Sequence, residues 1–301
     1  KIGEKREEEG QELEPEMKAI EIVHGYSRDQ RPDLKQFIID TIVTGDGDVP
    51  LYFKVDSGNV DDKSVFVKRM KDFKKQWKFE GAYVADSALY TADNLYAMKE
   101  MKWITRVPLS IKEAQIKIVE IEEKEWKTSR VKGYKIARKE SEYGTIKQRW
   151  LVIESEARKK ASLQTLEKKI EKQKEKAETM LRKLSRQNFA CQADAESAIK
   201  MLSESWNYHQ IKEIECRDKL VSKAAATPNQ KKKKEGTIVN QISGRIERRE
   251  EVIEVEKVKI GRFILATNIL NPEEMSDSEI LEEYKGQQSN ERGFRFLKDP
   301  H

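Results

Sequence analysis

Four polar side chains near the C-terminus have the types and the spacing of a site that processes phosphate. Intervals of three, four and seven residues separate Tyr284, Gln287, Glu291 and Lys298. At 3.6 residues per turn, these intervals place all four on one helical face. A carboxylate that shares its face with a phenol, an amide and an ammonium group suits a site that holds a metal ion and a phosphate together.

A second set of candidate residues lies in the first third of the chain. The apolar run at 81–85 predicts a buried strand that ends at Asp86, and functional groups commonly lie at the carboxyl ends of parallel strands. Charged and turn-forming residues surround it in four short segments: residues 25–36 (GYSRDQRPDLKQ), 58–62 (GNVDD), 84–90 (VADSALY) and 104–108 (ITRVP).

Both sets resemble a group of bacterial insertion-sequence transposases that carry a Tyr-Arg-Glu-Lys (YREK) signature. The C-terminal residues match that signature except at Gln287, where the family usually has Arg. Residues 25–36 match the family's Gly-Tyr-Ser segment and residues 84–90 match the segment that carries its second catalytic Asp, and residues 58–62 and 104–108 match further family segments. The resemblance covers most of residues 18–115 and 260–300, and the stretch between them matches only loosely.

The resemblance implies a DDE-type DNA transposase, which cleaves and transfers DNA strands with the help of a metal ion. Asp86 and Glu291 match the second and third acidic residues of the family and are the expected catalytic ligands of Mg²⁺ or Mn²⁺. The expected partners are transposon-end and target DNA and a second copy of the chain in a homodimer. The residues expected to bind DNA are Tyr284, Gln287, Lys298, Arg31 and Lys35.

The first catalytic Asp of the family has no counterpart in this sequence. In the family, it belongs to a strand upstream of the Gly-Tyr-Ser segment that residues 25–36 match, and nothing before Gly25 resembles that strand. Asp29 and Asp40 lie nearby, in segments that the family uses otherwise. We therefore expect an incomplete triad and a chain truncated at both ends, which starts with Lys and stops just after a predicted helix. The alternative is an inactive transposase remnant that acts as a DNA-binding or helical interaction module.

Composition sets broad limits on these hypotheses. The 301 residues allow one large or two modest domains, and 38% of them are charged, with a formal net charge of only +5. So small an excess indicates nucleic-acid binding only where the charge clusters. Cys191 and Cys216 cannot build a disulfide framework, and the three histidines are too scattered for a zinc site. With no membrane span or signal peptide, a bacterial cytoplasmic protein, associated with the nucleoid when on DNA, is expected.

The pattern of elements predicts an α/β, RNase H-like mixed sheet with flanking helices that lacks its first strand. Two β-rich runs at 37–43 and 51–55 flank a Gly/Asp/Pro turn and predict a hairpin. A helix at 62–77, the strand at 81–85, a helix at 91–101 and a strand at 103–107 follow. Between the strands at 37–43 and 82–86 we expect either a gap in place of the missing strand or a substitute strand, for which residues 18–24 are the candidate.

A β-strand and long-helix insertion interrupts this core, which gives four segments: a disordered charged leader at 1–17, the core at 18–115, the insertion at 116–259 and the core again at 260–301. Inside the insertion we predict strands at 116–121, 134–137 and 146–154, and an edge strand at 249–259. A long helix at 156–187 shows heptad-like apolar spacing, which fits either a coiled coil or a helical hairpin with residues 194–222. A strand at 262–267 returns to the core, and a capping-box sequence at 276–279 starts the helix of Glu291.

Each candidate residue also has a structural interpretation. Asp86 could cap the turn that follows its strand, Glu291 could be a solvated charge, and Tyr284 could be an aromatic residue at the core edge. Arg31 and Lys35 could be surface charges, and the lysines at 231–234 could form a basic loop without a partner. Trp126 and Trp150 fit core positions better than platforms for stacking an unpaired base.

Overall fold

The computed structural model describes residues 19–25, 33–46, 49–60, 62–77, 79–222 and 236–298, with only the backbone described at 62–66, 222, 236 and 288–298. The chain folds as an α/β protein with a mixed sheet and flanking helices. Its strands and helices are β1 Phe37–Val43, β2 Pro50–Ser57, α1 Asp62–Gln76, β3 Tyr83–Ala85, α2 Ala92–Ala97, β4 Trp103–Arg106, α3 Lys112–Lys117, β5 Lys127–Thr128, β6 Tyr134–Tyr143, β7 Ile146–Ser155, α4 Glu156–Leu184, α5 Gln192–Glu204, β8 His209–Ser222, β9 Gly236–Arg248, α6 Glu250–Lys259, β10 Arg262–Thr267 and α7 Asp277–Lys298.

The described residues fall into two compact units. The first runs through Thr105 and adds Glu142–Ile146 and the chain from Ile280 onward, and the second comprises Arg106–Ser141 and Lys147–Glu279. The mixed character of the main sheet comes from a parallel pair, β3 with β4, and two antiparallel pairs, β10 with β7 and β5 with β6. None of the helices among the described residues combines the length and the apolarity that a bilayer crossing requires.

In the first unit, the predicted hairpin, the helix after it and the strand before Asp86 are confirmed. β1 pairs with β2 antiparallel, in the register Ile39 with Val55. Phe73 of α1 is buried and meets Tyr83 of β3 edge to face at 6.3 Å between ring centroids. The helix expected at 91–101 is shorter, because α2 ends at Ala97 and buried Met98 caps it.

The strand expected from residues 18–24 is wrong in the part that the structure describes. There, Val23 forms a single antiparallel bridge to Gln36 at the start of the hairpin. β1 and β2 form a two-stranded sheet of their own, and β3 pairs with β4. Hydrogen bonds between β1 and β3 are absent among the described residues.

In the second unit, β7 and β10 form a fully buried antiparallel pair. Leu151 faces Leu265, and both side chains are completely buried. The apolar runs of both strands follow from burial on two faces, since a strand covered on both sides has no solvent-facing positions to fill with polar residues. The strands predicted at 134–137, 146–154 and 262–267 are confirmed in β6, β7 and β10.

The apolar stripe of α4 is covered within the chain. Leu166 and Ile170 pack with Ile253 of α6. Ala177 and Leu181 join a second cluster with Ala195, Ile199, Trp206, Ile211 and Ile242, from α5, β8, β9 and the loop between α5 and β8. The helical-hairpin hypothesis is therefore correct for α4 and α5. It is wrong beyond Glu204, because His209–Ser222 is strand β8, which pairs antiparallel with β9.

Two other strand predictions are wrong, because a helix occupies all or part of each segment. The Ile and Val residues at 116–121 predict a strand. In the structure, α3 covers Lys112–Lys117, where Glu113 and Lys117 pair at 2.8 Å across one turn. At 249–259 the chain forms α6, in which Ile253 is buried and Lys257 pairs with Glu254 at 2.7 Å.

A buried histidine sits where α4 meets the β8–β9 hairpin. His209 is 1% exposed, its Nδ1 lies 3.2 Å from Gln173 Oε1, and its Nε2 has no hydrogen-bond partner. Gln173 Oε1 also accepts from the backbone N–H of Tyr208 at 2.8 Å. That oxygen acts as an acceptor, so Nδ1 carries the proton of the neutral ring. Burial, and then the charge of Arg248, lowers the pKa of His209.

We expect this histidine to make the free energy of unfolding depend on pH. A lowered folded-state pKa means that the unfolded chain binds the proton first, so stability is complete above about pH 6.5 and declines as the pH falls through that value. His209→Asn keeps a donor toward Gln173 but cannot titrate. Urea unfolding between pH 5 and 8 should show that the free energy of unfolding of the wild type decreases as the pH falls below about 6.5. This decrease should be absent in the variant. Equal slopes in both proteins would contradict the assignment.

Candidate functional site

The helix that carries the C-terminal signature is confirmed. α7 runs without interruption from Asp277 to Lys298, so its periodicity brings the signature positions within an arc of about 60°. The predicted capping box also forms: Glu279 N–H donates to Ser276 Oγ at 3.3 Å, and Ser276 N–H donates to Glu279 Oε2 at 2.7 Å. The hydrogen bonds from Ser276 lower the pKa of Glu279 and keep it ionised. The cap therefore fixes where the helix starts and which face each later residue occupies.

Tyr284 and Gln287 are half-buried on this face. Glu291 and Lys298 belong to the helix, and their side chains lie outside what the structure describes. Gly286, between Tyr284 and Gln287, has open space where a Cβ would lie.

Asp86 follows β3 directly, at the carboxyl end of the parallel pair β3–β4. Its backbone carbonyl accepts a 2.6 Å hydrogen bond from the hydroxyl of buried Thr105, which fixes the strand end. Its side-chain Oδ1 accepts from the N–H of Ala88 at 2.8 Å and caps a short 3-10 turn at Ser87–Leu89. The carboxylate is exposed, and Oδ2 has no partner among the described residues. The capping interpretation is thus correct for one oxygen, and the other is open to a ligand.

The upstream block contains a close approach of three chain segments. A Cβ at Gly25 would lie 1.8 Å from the carbonyl oxygen of Gly58, and a Cβ at Gly58 would lie 2.0 Å from the carbonyl oxygen of Gln36. The Gln36 side chain then donates to the Gly58 carbonyl at 2.9 Å. Three residues from the family-like segments therefore serve packing here. Lys35 is exposed beside them, and Arg31 lies outside the described residues.

A buried ionic cluster joins the hairpin to α1, and sequence reasoning missed it. Arg69 is 6% exposed and bridges Asp40 of β1 and Asp56 of β2, with a 3.2 Å bond from Nε to Asp40 Oδ2. Burial alone would lower the pKa of Arg69, but the hydrogen bonds to Asp56 and Asp40 outweigh it and raise that pKa. A signal was present, because Arg69 lies in the apolar stripe of α1, next to Met70 and four residues before Phe73.

The Arg69 cluster bears on the missing catalytic carboxylate. Asp40 was one of two nearby candidates, and its charge is already neutralised by Arg69. The other candidate, Asp29, lies outside the described residues. Groups of three or more His, Cys, Asp or Glu side chains that could hold a metal ion are absent among the described residues, whose side chains do not include that of Glu291.

The two tryptophans of the central region have different environments. Trp150 is completely buried and donates from Nε1 to Gln148 Oε1 at 2.8 Å, which confirms its core role. Trp126 is half-buried, and the guanidinium of Arg262 lies 4.9 Å from its ring centroid. One face of Trp126 is therefore occupied by a cation–π contact rather than open to a base. The lysines at 231–234 lie outside the described residues.

Comparison with known proteins yields no match to a protein-family model, a curated protein or a solved structure.

The close approach at Gly58 predicts a sharp cost for any added side chain. Gly58→Ala would force a methyl group against the Gln36 carbonyl and should reduce the free energy of unfolding by about 1–3 kcal/mol or more. Gly286→Ala is the matched control, because it adds the same methyl group into open space within a helix. It should stabilise the protein by about 0.5–1 kcal/mol. Denaturant unfolding measures both, and a neutral Gly58→Ala would show that the three segments are not in contact.

Proposed function

We propose that this chain is a fragment of the catalytic domain of a DDE-type transposase, an enzyme that cleaves and transfers DNA strands at transposon ends. The observation that carries the proposal is the uninterrupted, capped helix α7, which gives the Tyr-Gln-Glu-Lys positions one common face. With the resemblance of the upstream segments, this arrangement favours chemistry on phosphodiester bonds over a purely structural role. The proposal includes an RNase H-like ancestry for the mixed α/β sheet.

The available oxygen atoms suit a hard divalent cation. Asp86 presents an exposed carboxylate with Oδ2 uncommitted, and oxygen ligands are what Mg²⁺ and Mn²⁺ prefer. Asp86 and Glu291 would hold the ion, which supplies Lewis-acid activation of the attacking and leaving oxygens when bound. The Ala88 N–H that donates to Oδ1 keeps the Asp86 carboxylate oriented.

The remaining signature residues would bind the DNA backbone. Tyr284 and Lys298 would contact phosphates on either side of Glu291, and Gln287 would donate an amide N–H without adding charge. Arg31 and Lys35 would extend this surface from the upstream block. In this proposal two copies of the chain act together on transposon-end and target DNA, in the cytoplasm of a bacterium.

A non-catalytic DNA-binding or helical interaction module is the second candidate. Two contacts favour it: Asp86 Oδ1 already caps the turn at Ser87–Leu89, and Asp40 is paired with Arg69 rather than free to complete a triad. In this candidate function α7 would still bind phosphate, but strand cleavage would be lost.

Conservative substitutions separate the two candidates. Asp86→Asn retains an oxygen that can cap the turn but removes the charge. Glu291→Gln likewise removes the charge of a carboxylate on α7 and keeps the length of the side chain. In the complete protein, each should lower the rate of nicking of supercoiled DNA in Mg²⁺ or Mn²⁺ at least about 100-fold while DNA binding persists. Glu282→Gln, an exposed carboxylate on the same helix, is the control and should cleave normally. DNA binding by the complete wild-type protein without nicking in either metal would support the non-catalytic module.

The departure from the family at Gln287 gives an independent test of the DNA-binding face. Gln287→Arg adds a charged, bidentate donor, so binding to DNA should tighten severalfold at low salt. The slope of log affinity against log salt should steepen by about one, as expected for one added phosphate contact. Gln187→Arg, an exposed position at the end of α4, makes the same change in net charge elsewhere. Equal behaviour of the two variants across a salt series would mean that position 287 does not face DNA.

A further inference from the structure

A small cavity in the second unit is lined by basic residues, and none of the signature residues is in its lining. Its volume is about 220 Å³, and its walls come from β5, β6, the loop between those strands and the start of α7. Three basic residues line it, Lys127, Arg130 and Arg138, and the opposite wall carries Ser276, Asp277 and Ser278. The proposed transposase chemistry assigns no role to any of these residues.

The cations around this cavity outnumber the carboxylates that could neutralise them. Asp277 is the only carboxylate in its wall. Arg138 binds Asp277 Oδ2 through Nε at 3.2 Å and through Nη2 at 2.7 Å. Arg149, from behind, lies 3.4 Å from Oδ1 of the same carboxylate. Two guanidinium groups therefore share the Asp277 carboxylate, and Glu274 adds a second negative charge near Arg149.

The buried guanidinium behind Asp277 is incompletely satisfied. The Arg149 side chain is 3% exposed, and Nη2 donates to the carbonyl of Met275 at 2.7 Å. Its Nε and Nη1 have no hydrogen-bond partner. Burial lowers the pKa of Arg149, and the nearby charge of Asp277 opposes that effect. An additional anion near this group would relieve the cost of burying its charge.

Lys127 and Arg130 at the mouth complete the excess of positive charge. Neither side chain forms an ion pair with a described residue, and both are exposed. Glu279 is close enough to influence Arg130, but its carboxylate is occupied by the cap of α7. The Arg130 backbone is fixed instead, because its N–H donates to Ser278 Oγ at 3.2 Å. The backbone of Arg130 is thus held at the cavity by Ser278, whereas Asp277 Oδ1 is buried without a hydrogen-bond partner.

We propose that this cavity binds a phosphate group. The site offers the donors that phosphate oxygens require. They are the side chains of Lys127 and Arg130, the remaining N–H groups of Arg138, and serine hydroxyls. Its volume falls below the range of about 300–1,000 Å³ that is typical of pockets for drug-sized molecules, so it suits one phosphate group rather than a whole nucleotide. The group could belong to a nucleic-acid backbone or to free phosphate, and the chemistry of recognition is the same.

Titration calorimetry of the full chain with inorganic phosphate, at constant ionic strength, tests the proposal without DNA. Lys127→Gln combined with Arg130→Gln should weaken phosphate binding roughly tenfold or more, because it removes two charge-assisted donors. The control combines Lys168→Gln with Lys172→Gln, two exposed α4 lysines that form no ion pair with a described residue, and makes the same change in net charge. This control should bind phosphate as the wild type does.

The remaining outcomes decide the source of the phosphate or overturn the site. If the affinity for a short DNA duplex also falls in the cavity variant alone, and phosphate competes with the duplex, the ligand is a backbone phosphate. If duplex binding is equal in both variants, the ligand is a free phosphate. Absence of phosphate binding by the wild type, or equal losses in cavity and control variants, would overturn the proposal. None of these results depends on DNA cleavage, so failure here and failure of the transposase hypothesis are distinguishable.

Discussion

The antiparallel pairing of β7 with β10 is the constraint on which the second unit depends. It places Glu154 opposite Arg262, so the chain between these two residues begins and ends at the same end of this strand pair. The return is tight: Gly261 has φ +79°, and a Cβ there would lie 2.6 Å from the Cβ of Lys159. Only glycine meets both demands at this point without strain. The long helix α4 and the β8–β9 hairpin therefore lie in the segment that connects the two paired strands β7 and β10.

A half-buried ionic cluster secures this closure. Arg262 donates from Nε to Glu154 Oε2 at 2.9 Å and from Nη1 to the carbonyl of Ile118 at 2.9 Å, and Lys159 reaches the other Glu154 oxygen at 3.1 Å. Burial would raise the pKa of Glu154, but the hydrogen bonds from Arg262 and Lys159 outweigh it and lower that pKa. Removing one partner would leave a charge with little solvent to replace it, so such clusters fix geometry more than they add stability.

The same principle distinguishes the charged groups that hold the fold from those available for binding. Arg69 and Glu154 are buried and have their partners, so they connect segments of chain. Asp86 and the cations around the α7 cavity keep exposed or unsatisfied atoms, which is where a ligand can bind with a net gain. The candidate metal ligand and the proposed phosphate cavity therefore share unmet hydrogen-bonding capacity.

The local sequence was sufficient wherever a short-range signal fixed the structure. The turn residues at 44–49 predicted the β1–β2 hairpin, the Ser276–Glu279 spacing predicted the cap of α7, and the apolar runs predicted β7 and β10. The spacing of Tyr284, Gln287, Glu291 and Lys298 similarly fixed their common helical face. These features depend on contacts between residues a few positions apart, which the sequence contains in full.

Only the tertiary structure decided the elements whose local preferences were ambiguous. Alternating charges and β-branched residues at 249–259 fit a strand, but burial of Ile253 against α4 selects helix α6. Residues 209–222 continue a helical-looking segment, and they become β8 because β9, past the basic stretch, supplies the hydrogen-bonding edge. The Arg69 cluster and the α7 cavity likewise join residues far apart in the chain. The sequence determined the helix face and the strand runs, whereas long-range burial and pairing decided which distant groups meet, because no local spacing encodes a partner many residues away.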